Sequence, residues 1–412
     1  MPHHSLRFLH AADVFLDRPL ALADDLTDST RAIVERATID AFRALISAAI
    51  NRDVDFLLLT GNTFVEADHS LPARVELVAG CERLQAAGID MFVLPGEADP
   101  PTAWAAIPHL PKNVTVTLPH DEPLAVLRDS RVIATMQAIS QRLEPDRSSA
   151  PRAEHRSPFA IGLLFAEGET LAADTLPSGF DYIAAGGSDI TRSQPFGDGP
   201  LHDPGGLQGL TADQVGPHGA TLVEVDHQNV IQRTFVPTAA VRWERFEVEV
   251  DPATTLASLA ESIATTWNKH RPEITERLCL AHWTIRCHGS LLDQCDTPSA
   301  RETLFATISA PAVAGDVASA IHMLNVHHDP ASALLGSLDN KLQREFLQLL
   351  IESNTAESDT SDWPAPNWPT VVGEPSADQT QSQACRQGIE WFGTNVSEEN
   401  APEGNASEGR AA

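Results

Sequence analysis

The stretch Val54-Asp-Phe-Leu-Leu-Leu-Thr-Gly61-Asn62 decides the fold. Val54 to Thr60 is an apolar run of strand length, and Gly61-Asn62 closes it with turn chemistry. Upstream, Leu6 to His10 is another short apolar strand. Between the two, residues 30–51 carry helical periodicity, with Ile33, Ala37, Ala41, Leu45, Ala48 and Ala49 on one face. Downstream, a second helix pattern covers about 70–87 and stops at Gly88, a C-cap residue. Asp90 to Leu94 is a third strand, closed by Pro95-Gly96. This β-α-β-α-β series predicts parallel strands in an α/β fold. Open α/β sheets place their active sites in the loops after the carboxyl ends of the strands.

From about residue 113 the helical signal fades. Short β-type runs at 114–118, 123–127, 131–136, 159–165, 180–184, 219–225 and 229–236 predict a second, mostly antiparallel sheet packed on the first. Pro/Ser/Arg-rich loops separate them, notably 144–158 and 193–217. Trp243 to Val250 alternates as a strand, 254–268 reads as an amphipathic helix, 278–286 as a strand and 332–352 as a closing helix. Residues 1–240 are expected to form one domain and 241–353 a smaller C-terminal α+β module, suited to capping or docking. Residues 354–412 hold ten Asp/Glu and two Arg and are rich in Ser, Thr, Asn, Pro and Gly, which reads as a disordered acidic tail. Its Trp363, Trp368 and Trp391 leave room for a short docking segment around Ile389–Phe392.

Charge narrows the function classes. The chain of 412 residues has 28 Lys+Arg against 57 Asp+Glu, a net charge of −29. That excludes a nucleic-acid binder working through a broad basic surface, but leaves room for a local basic groove. No apolar run reaches the roughly 18–20 residues of a membrane span. The N-terminus lacks the apolar segment of a signal peptide, so a cytoplasmic location is expected. Five cysteines without a C-x-x-C pair speak against a disulfide framework and a zinc knuckle. The patch Cys279, His282, Cys287, His288 and Cys295 reads as a sheet face. No phosphate-cradling Gly-x-x-x-x-Gly-Lys-Ser/Thr loop occurs.

The strand-end loops carry the most specific signal. They read Asp13-Val-Phe15-Leu, Gly61-Asn62-Thr63-Phe64 and Gly96-Glu97-Ala98-Asp99, followed later by Gly186-Gly187-Ser188-Asp189. With their flanks Phe8–Asp13, Val54–Gly61, Phe92–Gly96, Phe159–Leu164, Phe180–Ala184 and Pro204–Gly209, they resemble the calcineurin-like metallophosphoesterases. Within that superfamily the chain resembles the SbcD/YhaO branch of double-strand-break-repair nucleases over about residues 1–250. The resemblance implies a four-layer α/β/β/α sandwich, a two-metal site and phosphodiester hydrolysis. Two cations would clamp the phosphate and generate hydroxide, with a bridging carboxylate between them and a histidine to protonate the leaving oxygen.

Carried over position by position, the resemblance implies that this machinery has decayed. The family pattern is D-x-H-L, G-D-x-F, G-N-H-D and G-H-x-H, with one further His after the Ile-Gly-Leu-Leu strand. Asp13 is kept. The imidazole two residues on is Phe15, the bridging Asp is Asn62, the ligand Asn is Glu97 and the acid-catalyst His is Ala98. Asp99 is kept, the His after Ile161-Gly-Leu-Leu164 is Phe165, and the last pair of imidazoles is Gly187 and Asp189. Phe15 and Phe165 are expected to fill the cleft together. The resemblance therefore implies an inactive or strongly impaired phosphoesterase, with no resident metal, serving as a scaffold in DNA repair. The alternative is an active phosphodiesterase or DNA exonuclease that holds a single Mg²⁺ or Mn²⁺, or Ca²⁺, on Asp13, Asn62, Glu97 and Asp189. The implied partners are an SbcC/YhaN-like coiled-coil ATPase, DNA through that complex, and a second copy of the chain. Arg142, Arg147, Arg152 and Arg156 are the candidate DNA-phosphate contacts.

Overall fold

The computed structural model of the chain describes residues 6–21, 28–119, 121–139, 159–166, 179–196, 199–249, 254–287 and 318–328. The expected alternation opens it: β1 (Leu6–Ala12), α1 (Asp28–Val34), α2 (Ala37–Asn51), β2 (Phe56–Thr60), α3 (Leu71–Ala86) and β3 (Asp90–Leu94). The helix expected over 30–51 is two. The chain leaves helical geometry at Arg36, with φ −109° and ψ 3°, and the apolar face resumes at Ala37. The Ser70 hydroxyl caps α3 by accepting from the Ala73 N–H at 3.1 Å, and Pro72 fits the first turn where no N–H is needed. Beyond its far end Gly88 adopts φ +74°, a conformation that costs a glycine nothing.

The first six-stranded sheet also contains β4 (Val114–Val116), β11 (Gly219–Val225) and β12 (Ile231–Pro237), in the order β12-β11-β1-β2-β3-β4. β1 to β4 pair in parallel, while β11 runs antiparallel to both β1 and β12. Between β3 and β4 lies the short α4 (Pro101–Ala105). The second sheet holds β5 (Leu124–Arg128), β6 (Arg131–Ile139), β7 (Phe159–Phe165), β8 (Tyr182–Gly186), β9 (Arg192–Phe196) and β10 (Gly199–Asp203), in the order β5-β6-β7-β8-β10-β9.

Three expectations change here. The second sheet is mixed: β6–β7, β7–β8 and β8–β10 are parallel, and β5–β6 and β9–β10 antiparallel. Parallel neighbours need long connections, and the near-continuous apolar runs of β7 and β8 are those of strands buried on both faces. The runs at 219–225 and 231–237 extend the first sheet, not the second. The segment read as a loop from 193 contains β9 and β10, hidden because Arg-Ser-Gln-Pro-Phe lacks an apolar alternation.

The two faces of each strand sort the core. Leu9, Leu57, Leu59 and Val93 pack with Phe42, Leu45 and Leu77 of α2 and α3 on the outer face of the first sheet. Phe8, Phe56, Leu58 and Phe92 point the other way, against Met136, Phe159, Ile161, Leu163 and Tyr182 of the second sheet. This period of two is the pleat of a strand. The outer face of the second sheet buries Ile139, Leu164, Ile183 and Leu201, a cluster to which no described helix contributes. The architecture is thus an α/β sandwich with two large mixed sheets at its centre.

A third sheet has the order β13 (Val241–Glu249), β14 (Leu278–Cys287), β15 (Ala318–His328), with α5 (Leu256–His270) between the first two in sequence. The chain divides into two compact units. Of the described residues, those up to 245 with 270–282 and 318–322 form one, and 246–249, 254–269, 283–287 and 323–328 form the other. In the second unit, Phe246 lies 4.6 Å from Trp283 and 6.0 Å from Trp267 between ring centroids, and Leu259 and Ile263 are buried. The helix expected at 332–352 and the acidic tail lie outside the described residues. No described helix is long and apolar enough to cross a membrane.

Candidate functional site

The loops after β1, β2, β3 and β8 meet at one end of the sandwich. After β1, β2 and β8 the backbone leaves the strand through the left-handed region: φ is +46° at Asp13, +44° at Phe15, +50° at Asn62, +86° at Gly61 and +104° at Gly187. Asp and Asn tolerate this conformation and glycine is at home in it, but for phenylalanine it is strained by about 1–3 kcal/mol. Phe15 is held there by its N–H, which donates to the Asn62 carbonyl at 2.9 Å. The next N–H, of Leu16, donates to the Thr63 carbonyl, also at 2.9 Å. The Arg18 guanidinium lies 4.9 Å from the centre of the Phe15 ring.

Asp13 and Asn62 are brought together. The Asn62 Nδ2 donates to Asp13 Oδ1 at 2.8 Å, and the Gly187 N–H donates to Asp13 Oδ2 at 2.9 Å. The Asn62 Oδ1 accepts from the Ala98 N–H at 3.0 Å. Gly96 allows the approach: a Cβ there would lie 2.5 Å from the Asn62 nitrogen and 2.6 Å from its Oδ1.

Asp99 organises the same loops from below. It is fully buried, and each carboxylate oxygen accepts twice. Oδ1 takes the N–H groups of Gly96 (2.7 Å) and Asn62 (2.9 Å), and Oδ2 takes those of Thr63 and the Trp104 indole (both 3.0 Å). Burial raises its pKa from the ordinary carboxylate value, against the pull of these donors. Sequence reading named Asp99 as a remnant of the site and missed this role. Two of its four donors are backbone groups 36 and 37 residues away, which no spacing rule reveals.

The other site positions disperse. Glu97 and Asp189 are exposed, whereas the Asp13–Asn62 pair is buried. Ala98 contributes a methyl and its backbone N–H. Phe165 packs between the sheets, its ring filling the space a Cβ on Gly61 would need, at 2.1 Å. Phe15 joins a different cluster with Leu20, Val34, Ala37, Leu210 and Trp243. The expectation that the two phenylalanines fill one cleft is therefore corrected. Phe15 packs on that cluster, whereas Phe165 packs on the one between the sheets. Arg142, Arg147, Arg152 and Arg156 lie outside the described residues. A pair of divalent cations needs a bridging anion and several more oxygen or imidazole donors turned inward. Among the described residues no group of three or more His, Cys, Asp or Glu side chains is placed to hold a metal. The donor set on these loops does not fit a two-metal centre.

Beneath the loops, the space between the sheets holds a polar chain that sequence reading did not find. The Tyr182 hydroxyl meets His10 Nδ1 at 3.0 Å, and His10 Nε2 meets Thr60 Oγ1 at 2.9 Å. Thr60 Oγ1 donates to the Ala185 carbonyl at 3.0 Å, so it accepts from His10, and the Tyr182 hydroxyl must donate to Nδ1. The His202 ring lies 6.0 Å from that of His10; its Nε2 meets Thr221 Oγ1 at 2.7 Å, and its Nδ1 meets Ser193 Oγ at 2.6 Å. Burial, then the neighbouring His202, holds His10 well below the usual imidazole range. Burial, then the Arg233 charge, brings His202 down to about 4. Asp203, next along β10, is pushed up to about 8, chiefly by burial. Both imidazoles are neutral at pH 7. The visible signal was Thr60, a polar residue closing an apolar strand.

No protein-family model matches the chain. Among known proteins, it is 28% identical over 318 residues to the "uncharacterized metallophosphoesterase YhaO" of Bacillus subtilis, covering 70% of this chain and 76% of that protein. Among solved structures, a dimetal phosphatase from Danio rerio superposes with a TM-score of 0.35 at 10% identity, over 55% of this chain and 94% of the other. The relative from Bacillus, together with the α/β sandwich, supports the calcineurin-like metallophosphoesterase superfamily that the strand-end loops imply.

Proposed function

We propose that this metallophosphoesterase-fold chain is catalytically inactive or strongly impaired, and that it acts as a scaffold in DNA repair beside a coiled-coil ATPase. The observation that carries the loss of activity is the dispersal of the acidic side chains. Glu97 and Asp189 face solvent, the Asp99 oxygens are filled by loop donors, and Asp13 is left beside a neutral amide. Asp13, whose charge also acts on the buried and mostly protonated Asp203, cannot by itself hold two cations against their mutual repulsion, and the methyl of Ala98 cannot protonate a leaving group. The scaffold role rests on the resemblance to the SbcD/YhaO branch, whose phosphoesterase subunits pair with such ATPases. A chain with a net charge of −29 is poorly suited to hold bare DNA alone, which favours contact with DNA through a partner.

Two measurements test this reading. Elemental analysis of the purified full chain is expected to find no stoichiometric Mn, Mg or Ca, and linear duplex DNA should survive incubation with Mn²⁺ or Mg²⁺. Metal-dependent cleavage that disappears in Asp13→Ala overturns the inactive reading and establishes the exonuclease instead. A pull-down from the native cell should enrich a coiled-coil ATPase; recovery at background level overturns the scaffold role.

A further inference from the structure

Asn62 stands where the resembling family keeps an anion between cations, yet its side chain works in the opposite sense. Nδ2 donates to Asp13 Oδ1 at 2.8 Å and Oδ1 accepts from the Ala98 N–H at 3.0 Å. The partners fix this orientation, because a backbone N–H only donates and a carboxylate only accepts. The second oxygen of Asp13 accepts from the Gly187 N–H at 2.9 Å. Three hydrogen bonds therefore tie together the loops after β1, β2, β3 and β8. The backbone is shaped for it: Asn62 and Gly187 are left-handed, and at Gly96 there is no room for a side chain against Asn62.

We infer that the Asn62 amide is a built-in substitute for a cation, holding the four loops closed by offering the positive end of its dipole to Asp13. This rests on the inactive reading above and adds the means by which the loops stay assembled. The charge at position 62 then decides whether they need a metal. Asn62→Asp replaces the donor by a second carboxylate facing Asp13, and like charges at that separation repel until a hard cation intervenes. Exchanging the two groups, Asp13→Asn with Asn62→Asp, keeps all three bonds. The amide at position 13 donates to the carboxylate at 62 and accepts from Gly187, and the Ala98 N–H still meets an oxygen.

Thermal unfolding of the full chain, in EDTA and in millimolar Mn²⁺ or Ca²⁺, tests this with four proteins. The native chain should melt at one temperature in all buffers. Asn62→Ala should melt roughly 4–10 °C lower, equally in all buffers. Asn62→Asp should be destabilised most in EDTA and regain stability as the cation is added. The double variant should melt within about 2 °C of the native chain and ignore the cation, an outcome that a simple packing role for Asn62 does not produce. The inference is overturned if Asn62→Ala melts like the native chain, if no cation restores Asn62→Asp, or if the double variant is no better than Asn62→Asp. Should Asn62→Asp not fold at all, Asn62→Ala and the double variant still decide. Failure of the inactive reading shows separately, as metal and cleavage in the native chain.

Discussion

Asp99 is the residue on which the loop geometry turns. Asp99→Asn keeps the shape but replaces one acceptor oxygen by an NH₂ whose hydrogens confront two N–H donors. Leaving those buried donors unmatched is expected to cost about 2–4 kcal/mol, read as a lower urea midpoint with an unchanged slope. An unchanged midpoint shows that the four bonds do not support the fold. At this scale the sequence was partly legible. Asp13, Gly61-Asn62 and Gly96–Asp99 announce turns because their chemistry suits left-handed or tight backbone, and all of them lie where strand ends meet. Phe15 and Phe165 were legible as positions but not as directions. Where a ring points follows from its own φ and from which neighbour, such as Gly61, leaves room, and neither is written in residue type.

Among the elements, β2 and β8 approach closely across the two central sheets. A Cβ on Gly186 would lie 1.8 Å from the Thr60 carbonyl oxygen, while Thr60 Oγ1 already donates to the Ala185 carbonyl at 3.0 Å. Gly186→Ala should force the sheets apart there, costing about 3 kcal/mol or more by thermal or chemical unfolding. A variant within 1 kcal/mol of the native chain shows that the strands can slide apart cheaply. Strand positions in the first half were readable because apolar runs and helix caps alternate cleanly. Sheet membership was not, since β11 and β12 look like any hairpin and only the register of Leu6 to His10 against Thr221 to Val225 assigns them to the first sheet.

For the molecule as a whole, the buried titratable groups tie stability to pH. His10 and His202 have lowered pKa values in the folded state, so below about 6.5 the unfolded chain binds protons that the folded one refuses, and stability falls with pH. Asp203, raised to about 8, does the reverse. Above the ordinary carboxylate pKa the unfolded chain releases a proton that the folded one keeps, so stability falls as pH rises towards 8. On the acid side Asp203, with Asp99 and Asp90 also raised by burial, opposes the two imidazoles, whereas between about 6.5 and 8 Asp203 lowers stability unopposed by them. Melting temperature should therefore decline between pH 6.5 and 8, and Asp203→Asn should flatten that decline. A native profile that rises through that interval contradicts the assignment.

The Thr63 N–H donates to Asp99 Oδ2 at 3.0 Å, and this bears on how long the Asn62 amide survives. Asparagine side chains age by deamidation, in which the nitrogen of the next residue loses its proton and attacks the side-chain carbonyl carbon to close a five-membered imide. Here that nitrogen is already engaged by a carboxylate that disfavours its deprotonation, and the Asn62 Oδ1 is anchored on Ala98. The arrangement that closes the loops therefore also slows the imide route by which Asn62 would become an acid, a protection against chemical wear at this position.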